Sequence, residues 1–226
     1  MPTSSALNIS RILGTVIALR PQSVLDVGIG TGKTGFLLRE YLDVYFGEKD
    51  SWPPPRRTRI DGVEAYAPYI GDIQRAVYDK ILIGNAAEAL PKLPSDDYDL
   101  VLMIDVLEHF VPEEAELVVR EARRVGKYVL AVSPAGKRPQ EASYGNAFEQ
   151  HRLTLTRRSA HRLGFDAVQR HSGHYFASSP SLRTALSRWR VEYFARTHLQ
   201  RLPDPLQHVT KSVRKKLLRL SRHSSD

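Results

Sequence analysis

One stretch constrains this chain more than any other: Asp26-Val-Gly28-Ile-Gly30-Thr-Gly32-Lys-Thr-Gly35. It follows a short apolar segment, Ser23 to Val27, and opens a helical pattern from Thr34 to Tyr45. Alternate glycines let a backbone turn tightly and approach a ligand closely. Three ligand chemistries compete for such a loop. The phosphate-cradling G-x-x-x-x-G-K-[ST] fails, because position 27 is valine and Gly28 lies one residue too close to Gly32-Lys33-Thr34. The dinucleotide pattern G-x-G-x-x-G is present at Gly30, Gly32 and Gly35. It starts late relative to the strand, and Asp26 has the wrong charge to face a pyrophosphate. The third ligand is a cationic cofactor without phosphates, which an acid at the strand end attracts.

Beyond this loop, short apolar segments alternate with helical ones. Arg59–Val63, Lys80–Ile83, Leu100–Ile104 and Tyr128–Val132 read as further strands. Pro112-Glu113-Glu114 opens a helix running to about Arg124, with acids at its positive end. Thr156 caps another, closed by Gly164. Phe165–Arg170 and Tyr175–Ser178 flank Ser172-Gly173, the pattern of an antiparallel hairpin. Such alternation implies a parallel sheet covered on both faces. The apolar residues Ile9, Ile12, Leu13, Val16 and Ile17 recur at helical spacing, which reads as a helix and not a signal peptide. No apolar run approaches the roughly 18 residues that span a bilayer, so a cytoplasmic protein is expected. The chain has no cysteine, which excludes disulfide scaffolds, thiolate metal sites and a cysteine nucleophile.

The cationic cofactor that fits the loop is S-adenosylmethionine, which carries a sulfonium and an ammonium. Val-Leu-Asp-Val-Gly-x-Gly-Thr-Gly at Val24–Gly32 resembles the class I S-adenosylmethionine-dependent methyltransferases. Later motifs follow in the family's order. Asp61-Gly62-Val63-Glu64 ends the second strand with an acid, Gly84-Asn85-Ala86 follows the third, and Tyr98-Asp99-Leu100 to Asp105 matches the fourth. Pro134-Ala-Gly136 follows the fifth. The resemblance spans roughly residues 10–178. It implies a Rossmann-like, doubly wound, mostly parallel seven-stranded sheet with an antiparallel last strand. It assigns Asp26, Gly28, Gly30, Gly32, Glu64, Asn85 and Ala86 to the cofactor, with Glu64 accepting from the ribose hydroxyls. The family often has an acid where Asn85 stands, and an amide oxygen still accepts from the adenine amine. Gly28 and Glu64 lie farther apart than the ~20 residues of a compact βαβ unit. The proline-rich insertion Gly47–Arg57 takes up the excess, as a bridge or as a cavity rim.

For the acceptor, the segment after strand four supplies Asp105-Val-Leu-Glu108-His109, and a polar stretch after strand five supplies His151. If a helical turn follows the strand, Asp105, Glu108 and His109 share one face. Asp105, His109 and His151 are the expected acceptor-handling groups, and no metal is expected. The alternative is Mg2+ on Asp105, Glu108, His109 and His151, because D-x-x-E-H is similar to the E-x-x-E-H of two magnesium-using branches, one methylating small RNA and one catechol precursors of quinones. No Asn-Pro-Pro-Tyr follows strand four, which disfavours exocyclic amines and leaves oxygen acceptors: a small metabolite, glycan or lipid-linked precursor.

The net charge of +8 hints at nucleic acid until it is located. Residues 183–226 hold eleven basic and three acidic residues, whereas 1–182 hold 22 of each. A methyltransferase domain is expected over 1–180 and a basic helical C-terminal extension over 181–226. From 206 an apolar stripe at steps of three and four is ringed by Lys211, Arg214, Lys215, Lys216, Arg219 and Arg222. Such a helix docks on the body, lies at an anionic membrane, or grips RNA phosphates. The alternatives to a small-acceptor enzyme are therefore a tail-assisted RNA ribose 2′-O-methyltransferase and a non-catalytic interaction protein.

Overall fold

The computed structural model describes residues 6–45 and 52–182, so the extension expected beyond Leu182 lies outside the described residues. Seven strands form one sheet: β1 (Ser23–Val27), β2 (Arg59–Glu64), β3 (Lys80–Ile83), β4 (Tyr98–Ile104), β5 (Gly126–Pro134), β6 (Ala167–His171) and β7 (His174–Ser179). Their order is β3-β2-β1-β4-β5-β7-β6, with β7 antiparallel to both neighbours and every other pairing parallel. The Rossmann-like doubly wound sheet with an antiparallel last strand is thus the fold of the described chain.

Strand pleat divides the core between the two faces. Val24, Leu100, Leu102 and Val132 pack on one face with α1 (Ile9–Leu19), α2 (Lys33–Leu38) and α3 (Asp72–Val77). Leu25, Val27, Val101 and Met103 pack on the other. There they meet α4 (Ala86–Ala89), α5 (Pro112–Val125) and α6 (Arg157–Arg162). α5 shows why its sequence is helical: Ala115, Val118, Val119, Ala122 and Val125 recur at steps of three and four and are all buried. Each large side chain so buried contributes about 1.5–3 kcal/mol of transfer free energy. Leu182 is buried too, just past the expected boundary at 180.

Two local differences have physical causes. The helical stretch after the glycine loop does not continue as one α-helix; Arg39–Val44 is π-helical. Arg39 there bonds Asp43 (2.8 Å), Asp79 (2.6 Å) and the Thr58 carbonyl (2.7 Å), tying the end of the insertion down. These groups surround the start of β2, and none of residues 52–57 lines the cavity at the opposite end of the sheet. The described part of the insertion is a bridge.

The chain order reverses between β1 and β4. From there β2 and β3 lie to one side and β5, β7 and β6 to the other. Open α/β sheets bind ligands in the crevice beyond the carboxyl ends of the strands at this point.

Candidate active site

The glycine loop leaves β1 through left-handed conformations at Gly28 (φ 77°), Gly30 (φ 47°) and Gly32 (φ 80°). The Gly28 N–H donates to the Val63 carbonyl at 2.8 Å, which clips the loop to β2. A Cβ on Gly28 would stand 2.4 Å from Val106 Cγ2, whereas one on Gly30 would meet nothing within 4 Å. The two glycines therefore differ in purpose: Gly28 permits close packing and Gly30 leaves space open. Gly28→Ala is expected to destabilise the fold by roughly 2–3 kcal/mol, from left-handed strain plus overpacking. Urea melts check this, and Val106→Ala in the same chain recovers only the packing share.

Beside the loop lies a cavity of about 730 Å³, within the range of small-molecule sites. Gly28, Gly30, Glu64, Asn85 and Ala86 line it; Asp26 and Gly32 do not. Glu64, at the end of β2, is buried, and each of its carboxylate oxygens accepts one backbone N–H. Gly30 donates to Oε2 and Tyr66 to Oε1, both at 2.9 Å. A carboxylate oxygen accepts more than one hydrogen bond, so the pair remains competent toward two ligand hydroxyls. Asn85 Oδ1 caps α4 by accepting from the Ala87 N–H at 3.0 Å, so part of the oxygen expected to meet an adenine amine is already engaged.

Asp26 needs a correction. It shares the pleat parity of Val24, so its side chain enters the core under α2 and α3, 1% exposed. Tyr78 donates its hydroxyl to Asp26 Oδ2 at 2.6 Å and accepts the Gly35 N–H at 3.1 Å. Asp26 thus braces the loop from below. Burial pushes its carboxyl up to about 7 against the pull of the Tyr78 hydrogen bond, with the Glu64 charge adding to the rise.

The other half of the cavity lies over β4, β5 and β7. Asp105 leaves β4 in a left-handed conformation (φ 53°), and a 3-10 turn, Leu107–His109, follows. The shared helical face expected for Asp105, Glu108 and His109 does not form. Glu108, His109 and His151 converge, with donor atoms all within 4.8 Å of one another. Asp105 instead lies 3.5 Å from His174 Nε2 through Oδ1. The four-residue cation set is corrected to three, with one hard oxygen lost. Burial, with Asp105 nearby, pushes the Glu108 carboxyl up to about 8, and burial lowers His109. The His109 and His151 rings meet edge to face at 5.0 Å. Their Nδ1 atoms lie 3.3 Å and 2.6 Å from the carbonyls of Gln150 and Arg138.

Four contributors have no role assigned from the sequence. Glu149 Oε1 accepts from the Tyr69 hydroxyl at 3.2 Å, joining the polar stretch after β5 to the segment after β2. His174 and Lys33 also line the cavity. Glu149 stands in the polar stretch that holds His151, which is its signal. His174 and Tyr69 have none, because only the fold brings them to the cavity.

Residues 25–128, which contain the loop, Glu64, Asn85 and the Asp105–His109 segment, match a family model described as a methyltransferase domain. The match to a methyltransferase domain thus covers a little under half of the chain. Solved structures share this fold. A candidate O-methyltransferase from Nostoc punctiforme PCC 73102 is 17% identical with a TM-score of 0.52, over 76% of this chain and 55% of that one. A SAM dependent methyltransferase from Archaeoglobus fulgidus is 19% identical with a TM-score of 0.51, over 71% and 68%. The N-terminal domain of EvdMO1, with SAH bound, is 16% identical with a TM-score of 0.52, over 77% and 80%. The chain thus spans little more than half of the Nostoc protein, and at these identities the likeness is one of fold. No curated protein matches the sequence significantly. Among the described residues no helix is long and apolar enough to cross a membrane.

Proposed function

We propose that this methyltransferase transfers the methyl group of S-adenosylmethionine to an oxygen of a small metabolite, glycan or lipid-linked precursor. The observation that carries the reading is one cavity with two unlike halves. Gly28, Gly30, Glu64, Asn85 and Ala86 form a cofactor half, and Asp105, His109 and His151 stand in an acceptor half. Transfer is an in-line displacement: the acceptor oxygen bonds the methyl carbon while the C–S bond breaks and its electron pair returns to sulfur. The carbon is already activated, so the protein positions the acceptor and excludes water. A hydroxyl acceptor also sheds its proton, which requires a nearby base. Acids and imidazoles in the acceptor half suit an oxygen acceptor.

The residues present also fit a divalent cation. Glu108 Oε2 is buried with no hydrogen-bond partner among the described residues, and Nδ1 of both His109 and His151 is directed at a carbonyl, which turns Nε2 to ligation. One carboxylate and two imidazoles suit Mn2+ or Zn2+ better than the Mg2+ of the alternative sequence reading. Bound there, such an ion supplies a Lewis acid for the acceptor oxygen.

The test is transfer of labelled methyl from S-adenosylmethionine into cell extract, followed by separation of small metabolites, glycans, lipids and RNA. Label is expected in a small-molecule, glycan or lipid fraction as an oxygen-linked methyl. Label confined to RNA or to nitrogen sinks the proposal. Transfer that survives chelation removes the cation from it.

A further inference from the structure

We propose that His174 is the base that removes the acceptor's proton, with Asp105 stabilising the imidazolium it becomes. The inference rests on the methyltransferase reading above and assigns a chemical role to a residue with no sequence signal. The Ser172-Gly173 turn starts β7 so that His174 pairs with Pro134, the last residue of β5. Asp105 follows β4, the next strand, and its N–H donates to the Val132 carbonyl of β5 at 2.7 Å. Both side chains therefore stand at the carboxyl end of the sheet beside the strand-order reversal, and both line the cavity.

The hydrogen-bond pattern fixes which nitrogen can act. His174 Nδ1 lies 3.1 Å from the Ser172 carbonyl. A carbonyl only accepts, so Nδ1 carries the proton and the Nε2 lone pair is left for chemistry. Nε2 is the atom 3.5 Å from Asp105 Oδ1. When Nε2 takes a proton, an imidazolium–carboxylate pair forms at a site only 5% exposed on the histidine side. Low exposure strengthens that attraction. The other charged or titratable groups here are Lys33 and Glu108, which both interact with Asp105, His109 at the Asp105 backbone, Arg138 beside Gly173, and His171 across the hairpin.

Backbone strain marks the same two positions. Asp105 (φ 53°) and Ser172 (φ 45°) are non-glycine residues in the left-handed region, at about 1–2 kcal/mol each. One of them aims the carboxylate and the other supplies the carbonyl that sets the tautomer. In the step itself the acceptor O–H bond breaks and its electron pair forms the O–CH3 bond. The C–S bond breaks, sulfur keeps that pair and becomes neutral, and the proton ends on His174 Nε2.

The experiment uses the full chain, labelled S-adenosylmethionine and the extract fraction that accepts label. His174→Gln is expected to lower kcat by 10²–10³-fold, leave SAH affinity within threefold, and abolish the acid limb of the kcat–pH profile. Asp105→Asn is expected to lower kcat less and to move that limb without removing it. Nitrogen-15 spectra of histidine-labelled wild-type protein with SAH are expected to show the Nδ1–H tautomer at His174, a readout that does not depend on a variant folding. Retained kcat with an unchanged acid limb in His174→Gln overturns the proposal, as does the Nε2–H tautomer. Failure of the wild type to bind SAH overturns the underlying methyltransferase reading, and this one with it.

Discussion

Glu64→Gln weakens SAH binding by about 10²–10³-fold while leaving the chain folded. A hydrogen bond to a charged acceptor contributes about 1.5–3 kcal/mol, and on the proposed reading a ribose presents two hydroxyls to this carboxylate. Glutamine keeps one acceptor oxygen and replaces the other with a donor. The Gly30 and Tyr66 N–H groups already point at the two carboxylate oxygens, so either amide orientation sets a donor against a donor. The substitution therefore removes a ribose contact and loosens the glycine loop together, about 3–4 kcal/mol, where 1.4 kcal/mol is tenfold. Isothermal titration with SAH measures it, beside a thermal melt of the same sample. An affinity within fivefold of wild type would be strong evidence that Glu64 is not the ribose acid.

The central strands were legible because both of their faces are buried, as in β1, whereas β3 at the sheet edge showed only a short apolar run. Ser23–Val27 and Lys80–Ile83 are apolar runs bounded by turn residues, and both strands form with those bounds. β4 and β5 extend beyond Leu100–Ile104 and Tyr128–Val132 because pairing recruits flanking residues, as Tyr98 with Gly126 and Pro134 with His174. Gly28, Gly30, Glu64, Asn85 and Ala86 come to one cavity because they sit at consecutive strand ends, an order the sequence displays. Asp26 was misplaced because a motif records order and not pleat: two residues from Val24, it points where Val24 points. The acceptor half was less legible. A single left-handed residue at Asp105 turned one acid away from Glu108, and aspartate tolerates that conformation without a glycine to announce it. His174 lies 69 residues from Asp105 in sequence. Only the antiparallel insertion of β7 between β5 and β6 brings the two together.

The misplaced Asp26 carries the second large effect, on stability. Its carboxyl ionises at 3.8 when unperturbed and is pushed up to about 7 in the fold, chiefly by burial. Between those values the folded chain holds a proton that the unfolded chain has released, so stability from this group falls as pH rises. The contribution is fully present below about pH 4, declines through the interval and is gone above about 7, in total about 4 kcal/mol at 1.36 kcal/mol per pH unit. Asp26→Asn keeps an acceptor for the Tyr78 hydroxyl and cannot ionise. It is expected to match wild type near pH 3.5 and to exceed it by about 2–4 kcal/mol at pH 8. Urea melts of both proteins across that range read the difference, in which the titration of Glu108 and other shared groups cancels. A difference that does not change with pH defeats the buried-acid account. The same variant decides what Asp26 does for the ligand. A brace beneath the loop leaves affinity for S-adenosylmethionine within a few fold of wild type. A carboxylate facing the sulfonium or ammonium would lose at least tenfold, since a charged contact is worth about 1.5–3 kcal/mol. With Asp26 outside the cavity and its oxygen bonded to Tyr78, the expected result is the small one.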